Sequence, residues 1–275
     1  MKQSKRVALV TGASSGMGKA FAKALLAEGM VVYAVARRVE PMDELKRLGA
    51  ITLPMDITSE QDVQRVAERI RQDHGALDVL LNNAGFGLYG AMEDITLEQA
   101  RYQFEVNLFG LARLTQLLLP GMRERRRGTI VNISSMGGKV YTPLGSWYHA
   151  SKHALEGWSD CLRLELQQFG IHVVLIEPGA IETEFGQVLV QGLEAQNGTG
   201  AYREMVQKVA SATERSHASG TLSQPQVIVE LLLKAVRSRR PRTRYTAGKY
   251  ARPMMLIRKW LGDRIYDKMV LSIVR

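Results

Sequence analysis

Short apolar, β-branched runs alternate with helix-patterned stretches from the start of the chain, and that alternation leaves few folds open. Val7 to Thr11, Val31 to Ala36, Ile51 to Met55, Val79 to Asn82, Thr129 to Ile133 and Val173 to Glu177 each read as a buried strand. Amphipathic stretches such as Gly18 to Glu28 and Asp62 to Gln72 lie between them. Strands separated in this way by helices imply right-handed crossovers, and so a doubly wound parallel sheet covered by helices on both faces. The alternation lapses between about Glu184 and Leu222, a stretch rich in Gln, Gly, Ser and Thr that reads as irregular or loosely helical. It resumes with a helix over Gln226 to Val236 and a short last strand over Arg244 to Thr246. No internal repeat or low-complexity linker breaks the pattern, so residues 1–275 are expected to form a single α/β domain.

Composition removes several classes of function. Cys161 is the one cysteine, which excludes an intramolecular disulfide and a cysteine-clustered metal site and fits a reducing compartment. No apolar run approaches the roughly 18 residues that span a bilayer. Lys2, Lys5 and Arg6 before Val7–Val10 resemble a signal peptide, but the apolar piece is too short, and a cytoplasmic protein is expected. The net charge of +10 is uneven: Lys234 to Arg275 holds 13 Lys/Arg against Asp263 and Asp267, whereas the preceding residues hold 24 basic and 25 acidic side chains. Nucleic acid, anionic lipid, an acidic substrate or a solvated basic face would each account for that asymmetry.

The first strand runs into Thr11-Gly12-Ala-Ser-Ser-Gly16-Met-Gly18, and a helix follows at once. Glycines there permit a tight turn and close backbone approach, and the helix N-terminus stabilises a pyrophosphate. The second strand ends Ala36-Arg37-Arg38. An acid at this point would accept from a ribose 2′-hydroxyl and repel a 2′-phosphate, whereas guanidinium forks suit a phosphate. Arg37 and Arg38 therefore point to NADP(H), against the plainer reading of two solvated arginines opening a loop. Tyr148 and Lys152 stand four apart on a helical stretch and share a face. A tyrosine that exchanges a proton near neutral pH needs its pKa of about 10 lowered by roughly three units, and an ammonium at about 4 Å supplies that order of energy. Ser135 follows the strand Ile130–Ile133, at the strand end where an open α/β sheet places ligands, with Ser134 its competitor. His149 and His153 are also four apart, but no third metal ligand accompanies them, and no Gly-x-Ser-x-Gly nucleophile elbow is present.

These residues together resemble the short-chain dehydrogenases/reductases of the compact kind, whose fold is a Rossmann-type doubly wound sheet. The glycine turn matches that family's coenzyme turn, Asn82-Asn83-Ala84-Gly85 its sheet-stabilising motif, and Ser135, Tyr148 and Lys152 its catalytic set, with Asn107 the fourth member. Pro178-Gly179 and Thr183 match the segment that closes over the nicotinamide. The resemblance implies coenzyme contacts from Gly12, Ser14, Ser15, Gly16, Met17, Gly18, Asp56, Ile57, Asn83, Ala84, Gly85, Pro178, Gly179, Ile181 and Thr183, besides Arg37, Arg38, Tyr148 and Lys152. It implies that Asn107 fixes a water linking Lys152 to bulk solvent, a role compatible with a helix-bending amide. It gives Asp56-Ile57 an adenine contact, beside a capping role ahead of Ser59. It makes residues 184–222 a substrate lid and implies a homo-oligomer, a dimer or tetramer.

Pro241 to Gly248 followed by the basic extension 249–275 resembles the hydroxysteroid and retinol dehydrogenase branch, which implies a lipophilic alcohol or carbonyl substrate. The rival readings are a reductase of small polar carbonyls and a non-catalytic NADP(H)-sensing protein; the latter would be expected to have lost Tyr148, Lys152 or Ser135. A nucleic-acid binder rests on the tail charge alone, and no zinc-finger or aromatic RNA-binding motif supports it. In the tail, Ile257, Leu261, Ile265 and Met269 recur every four residues over Met254 to Val274, with Trp260 alongside. They predict an amphipathic helix that either caps the lid or rests peripherally on a membrane.

Overall fold

The computed structural model describes residues 5–196 and 200–273. Lys2, residues 197–199 of the expected lid, and Val274 and Arg275 of the tail lie outside these. The described strands are β1 (Val7–Thr11), β2 (Val31–Ala36), β3 (Ile51–Pro54), β4 (Val79–Asn82), β5 (Gly128–Ile133), β6 (Ile171–Pro178) and β7 (Arg244–Ala247). They form one parallel sheet in the order β3-β2-β1-β4-β5-β6-β7. The helices are α1 (Gly16–Ala27), α2 (Asp43–Arg47), α3 (Glu60–His74), α4 (Leu97–Phe104), α5 (Gly110–Glu124), α6 (Ser146–Leu166), α7 (Glu184–Gln196), α8 (Arg203–Ala218), α9 (Gln226–Arg237) and α10 (Ala251–Ile273).

Alternate residues of each strand enter opposite cores, because strand side chains have a period of two. Ala8, Val10, Val32, Ala34 and Leu81 pack with Phe21 and Leu25 of α1 and with Ile228 and Leu232 of α9. Leu9, Tyr33, Val35 and Leu80 pack with Val66 and Ile70 of α3 and with Leu114 and Leu118 of α5. Both faces are covered, which is why the strands read as unbroken apolar runs. From β1 the chain winds outward through β2 and β3, then returns to lay β4 on the other side of β1. The reversal opens a crevice at the carboxyl ends of β1 and β4.

The stretch from Glu184 to Leu222, expected to be irregular or loosely helical, holds the helices α7 and α8. Leu193 and Val206 are buried there with Ala91 and Leu144, and Leu189, Tyr202 and Met205 pack around them. Tertiary packing overrides a polar, glycine-containing local composition. Helix α6 is held to the sheet by ion pairs around the buried Glu156: Arg244 of β7 donates to Glu156 at 2.9 Å and to Asp160 at 2.6 Å, and Lys139 pairs with Glu156 at 3.0 Å.

The tail also departs from expectation. Gly262 interrupts α10 with φ 74° and ψ −179°, so the four-residue stripe does not stay on one side. Tyr266 and Val270 are buried, Ile257 and Met269 are half-buried beside them, and Leu261 and Ile265 face outward.

Candidate active site

Two loops meet at the β1–β4 crevice because Thr11 ties them. Its hydroxyl accepts from the amides of Asn83 at 3.0 Å and Ala84 at 2.9 Å, while the Asn83 side chain donates to the Thr11 carbonyl at 2.9 Å. The approach is so close that a Cβ on Gly18 would stand 2.1 Å from the Gly12 carbonyl oxygen. Gly12 itself has φ +66°, a conformation glycine adopts without strain. What results is a groove of about 450 Å³.

Gly12, Ser14, Ser15, Gly16, Met17 and Gly18 line that groove, with Arg37 and Arg38 after β2 and Asp56 and Ile57 after β3. Asn83, Ala84 and Gly85 after β4 and Thr183 after β6 complete the expected members that do so. A glycine-rich turn, two arginines and apolar side chains such as Ile57 and Val106 along one groove suit a dinucleotide. Asp56 also holds its own loop, its Oδ1 accepting from the Thr58 amide and hydroxyl, while Ser59 is the residue that caps α3. Pro178, Gly179 and Ile181 do not line the groove, and neither do Tyr148 and Lys152. Pro178 lies in register with Ala247, the Gly179 amide donates to the Ala247 carbonyl at 2.8 Å, and the Ile181 side chain is buried in the core. Phe86, Tyr102, Val106, Phe185 and Val188 line it without having been singled out in the sequence. No local motif marks Tyr102 or Val106, whereas Phe185 stands two residues after Thr183 in a segment already suspected.

Helix α6 begins at Ser146, so Tyr148 and Lys152 lie in its first two turns, both buried. Ser135 sits at the end of β5, extended, its Oγ accepting from the Gly137 amide at 3.0 Å and hydrogen-bonding Tyr148. Ser134 instead turns into the interior with no partner for its hydroxyl among the described residues. Lys152 donates to the Ile133 carbonyl at 2.9 Å. Asn107 lies in a π-turn between α4 and α5, its amide spent on both backbone groups of Phe86 and on the Ser151 hydroxyl. A Cβ on Gly85 would stand 3.1 Å from Asn107 Oδ1 and 3.7 Å from Lys152 Nζ, so both side chains abut the groove wall at one point.

Burial raises the Tyr148 phenol, and the Ser135 hydrogen bond opposes that shift. The rings of Tyr89 and Phe185 lie 5.5 and 5.7 Å from that of Tyr148. Lys152 is itself held down to about 8 by burial, with Glu156 acting to raise it. The site thus offers a protonated phenol, a hydroxyl bonded to it and a buried ammonium near neutral pH. That set can hold a carbonyl oxygen and protonate it as negative charge develops.

His149 fastens the neighbouring turn. Its Nε2 accepts from the Thr142 amide at 3.1 Å, so Nδ1 carries the proton donated to the Gly137 carbonyl at 3.0 Å. With both ring nitrogens engaged and burial lowering its pKa, it is a neutral clasp.

Comparison with known proteins agrees with this geometry. The short chain dehydrogenase family profile matches residues 6–194. A 3-ketodihydrosphingosine reductase of Bacteroides thetaiotaomicron is 34% identical over 262 residues, 94% of each chain. A crystal structure of a short-chain dehydrogenase from Streptomyces avermitilis superposes with a TM-score of 0.80 at 34% identity, covering 98% of this chain and 99% of that one. A short-chain dehydrogenase/reductase of Burkholderia phymatum in complex with NAD superposes at 0.76 with 25% identity, covering 93% and 92%. The sheet order, the glycine turn at its switch point and these likenesses establish that the chain belongs to the short-chain dehydrogenase/reductase family of oxidoreductases.

Proposed function

We propose that this oxidoreductase uses NADP(H) and interconverts a lipophilic alcohol and its ketone or aldehyde. The observation that carries the coenzyme choice is Ala36, not an acid, at the end of β2, followed by Arg37 and Arg38 on the groove. Two guanidinium forks there suit a 2′-phosphate. NADP(H) held in the groove would supply or accept the hydride at its nicotinamide ring.

The chain's own residues do the rest. Ser135 and Tyr148 hydroxyls hold the substrate oxygen, and Tyr148 gives its proton to the oxygen in reduction or takes one in oxidation. Lys152, pinned to the Ile133 carbonyl, holds an ammonium from which the proton given up by Tyr148 is replaced, and would bind the coenzyme ribose. Asn107 keeps the Phe86 backbone against Ser151, and so keeps α6 in register with the groove. Pro178, Gly179 and Ile181 support Thr183, which faces Gly16 of the turn.

Tyr89, Leu144, Phe185 and Leu189 give the Tyr148 side of the site an apolar character. The relative named as a 3-ketodihydrosphingosine reductase supports a lipid-like substrate. Exposed Phe109 and Leu164 support a homo-oligomer formed through the faces around α5 and α6. In this reading the protein is cytoplasmic and takes its substrate at a membrane surface; no helix among the described residues is long and apolar enough to cross one.

An absorbance assay of NADPH and NADH oxidation against a panel of ketones tests both parts. Long-chain or ring ketones should be reduced with NADPH favoured; turnover confined to small polar carbonyls would refute the substrate class, and equal use of NADH the coenzyme choice.

A further inference from the structure

We infer that the outer side of α10 is a docking surface for an anionic lipid bilayer. The inner side of the helix is fully committed. Tyr266 and Val270 are buried on Val140, with Met136, Tyr141, Met254, Met255 and Met269 packed around them. The Tyr266 hydroxyl donates to the Tyr141 carbonyl at 2.9 Å, and the Tyr141 hydroxyl donates to Asp267 at 2.9 Å. Arg258 stacks over the Tyr141 ring and pairs with Asp263. Both acids of the tail are therefore taken.

The outer side carries what remains. Trp260 is 72% exposed, Leu256 53%, Leu261 52% and Ile265 49%. Arg252, Lys259, Arg264 and Lys268 are exposed among them. Residues 252, 256, 259 and 260 share one face before the kink, and 261, 264, 265 and 268 share one face after it. Gly262 produces this arrangement: a Cβ there would meet nothing within 4 Å, so the glycine serves the backbone angle. A continuous helix would turn Leu261 and Ile265 toward the same side as Ile257; the kink turns them outward.

An apolar patch interleaved with cations matches a bilayer interface: the apolar groups enter the acyl boundary while long basic side chains reach the phosphates. Tryptophan favours that depth. The basic excess of the chain lies in this same C-terminal segment, which supplies the charge complementarity to anionic headgroups. The helix lies on the membrane and does not cross it. Its inner side packs on Met136, Val140 and Tyr141, shortly after Ser135, so α10 alone stands between a docked bilayer and the segment that follows Ser135. The biological use of the surface rests on the lipophilic-substrate reading; its geometry does not.

The test is sedimentation of the full chain with phosphatidylcholine vesicles, with and without phosphatidylglycerol, at low and high salt, together with tryptophan emission. Binding should require phosphatidylglycerol, fall with salt and shift the emission to the blue. W260S/L261S and, separately, K259E/R264E should each weaken it by about tenfold or more, with Tm unchanged. No binding to anionic vesicles overturns the proposal. So does binding that W260S/L261S leaves intact, which is charge attraction alone, or self-association abolished by W260S/L261S, which marks a second copy as the occupant. Retention on duplex DNA stronger than on vesicles overturns it as well. Vesicle binding without turnover of lipophilic ketones would retire the substrate reading and keep the surface, and the converse result would do the opposite.

Discussion

Gly18 at the coenzyme turn has no room for a side chain, whereas Gly262 at the tail kink has ample room and a backbone angle that suits glycine alone. The coenzyme end of the molecule is built by close approach of main chain to main chain, so its residues are fixed by space. The tail is built by side chains laid on a finished core, so its residues are fixed by how one helix bends. The first kind of constraint tolerates almost no substitution and stands out in a sequence; the second tolerates more and hides.

That contrast can be broken at either end, and the largest effect belongs to the turn. Gly18→Ala places a methyl against the Gly12 carbonyl, and backbone cannot relax as a side chain would. Binding of NADP(H), followed by calorimetry, should be lost; retained affinity would mean the turn is looser than its geometry. Next comes Tyr148→Phe, which keeps the ring and removes the proton. Turnover should fall at least roughly a hundredfold while coenzyme binding survives. Arg37→Ala with Ala36→Asp removes a charge-assisted contact of about 1.5–3 kcal/mol and adds repulsion. The ratio of NADP(H) to NAD(H) affinity should fall about ten- to a hundredfold or more and pass through unity. An unchanged ratio would leave the arginines as solvated loop residues.

At the other end, Gly262→Ala forces a residue into an angle that costs of order 1–3 kcal/mol outside glycine. Thermal unfolding should start several degrees lower while coenzyme affinity stays as it was. A groove weakened by this change would show that the two regions are not independent. The smallest expected effect is on pH dependence. Lys152 loses its proton as pH rises through about 8, earlier than an exposed lysine, because burial disfavours its charge. Carbonyl reduction should therefore decline above that pH. Glu156 holds the lysine up, so Glu156→Gln should move the falling limb to lower pH, and a limb displaced upward would reverse the assignment.

The same contrast explains what the sequence made legible. The glycine turn, Asn83, Ser135, Tyr148 and Lys152 stand in fixed local relation to strand ends; the turn and Asn83 share the groove, and Ser135 bonds Tyr148 beside it. Arg37 and Arg38 were readable because the end of β2 is locally marked. Tyr102 and Val106 reach the groove from α4 and the π-turn by way of the tertiary fold, which leaves no local mark. Phe185 against Tyr148 depends on how α7 folds back, and composition around it suggested irregular chain where Leu193 and Val206 build a helix pair. The stripe from Ile257 to Met269 misled because one glycine resets the helical register. The packing of Tyr89 and Phe185 on the Tyr148 ring likewise comes from segments distant in sequence and leaves no local mark.

The central claim, hydride exchange between NADPH and a lipophilic carbonyl under the control of Tyr148, is most directly tested by isotope transfer. NADPH deuterated at its transferable nicotinamide position is incubated with a long-chain ketone and the alcohol product is analysed by mass spectrometry. The account predicts deuterium at the carbinol carbon of the product from the native enzyme, and almost no product from Tyr148→Phe. Deuterium-free alcohol, equal product from Tyr148→Phe, or no reaction with any lipophilic ketone under conditions where small polar carbonyls react would contradict it.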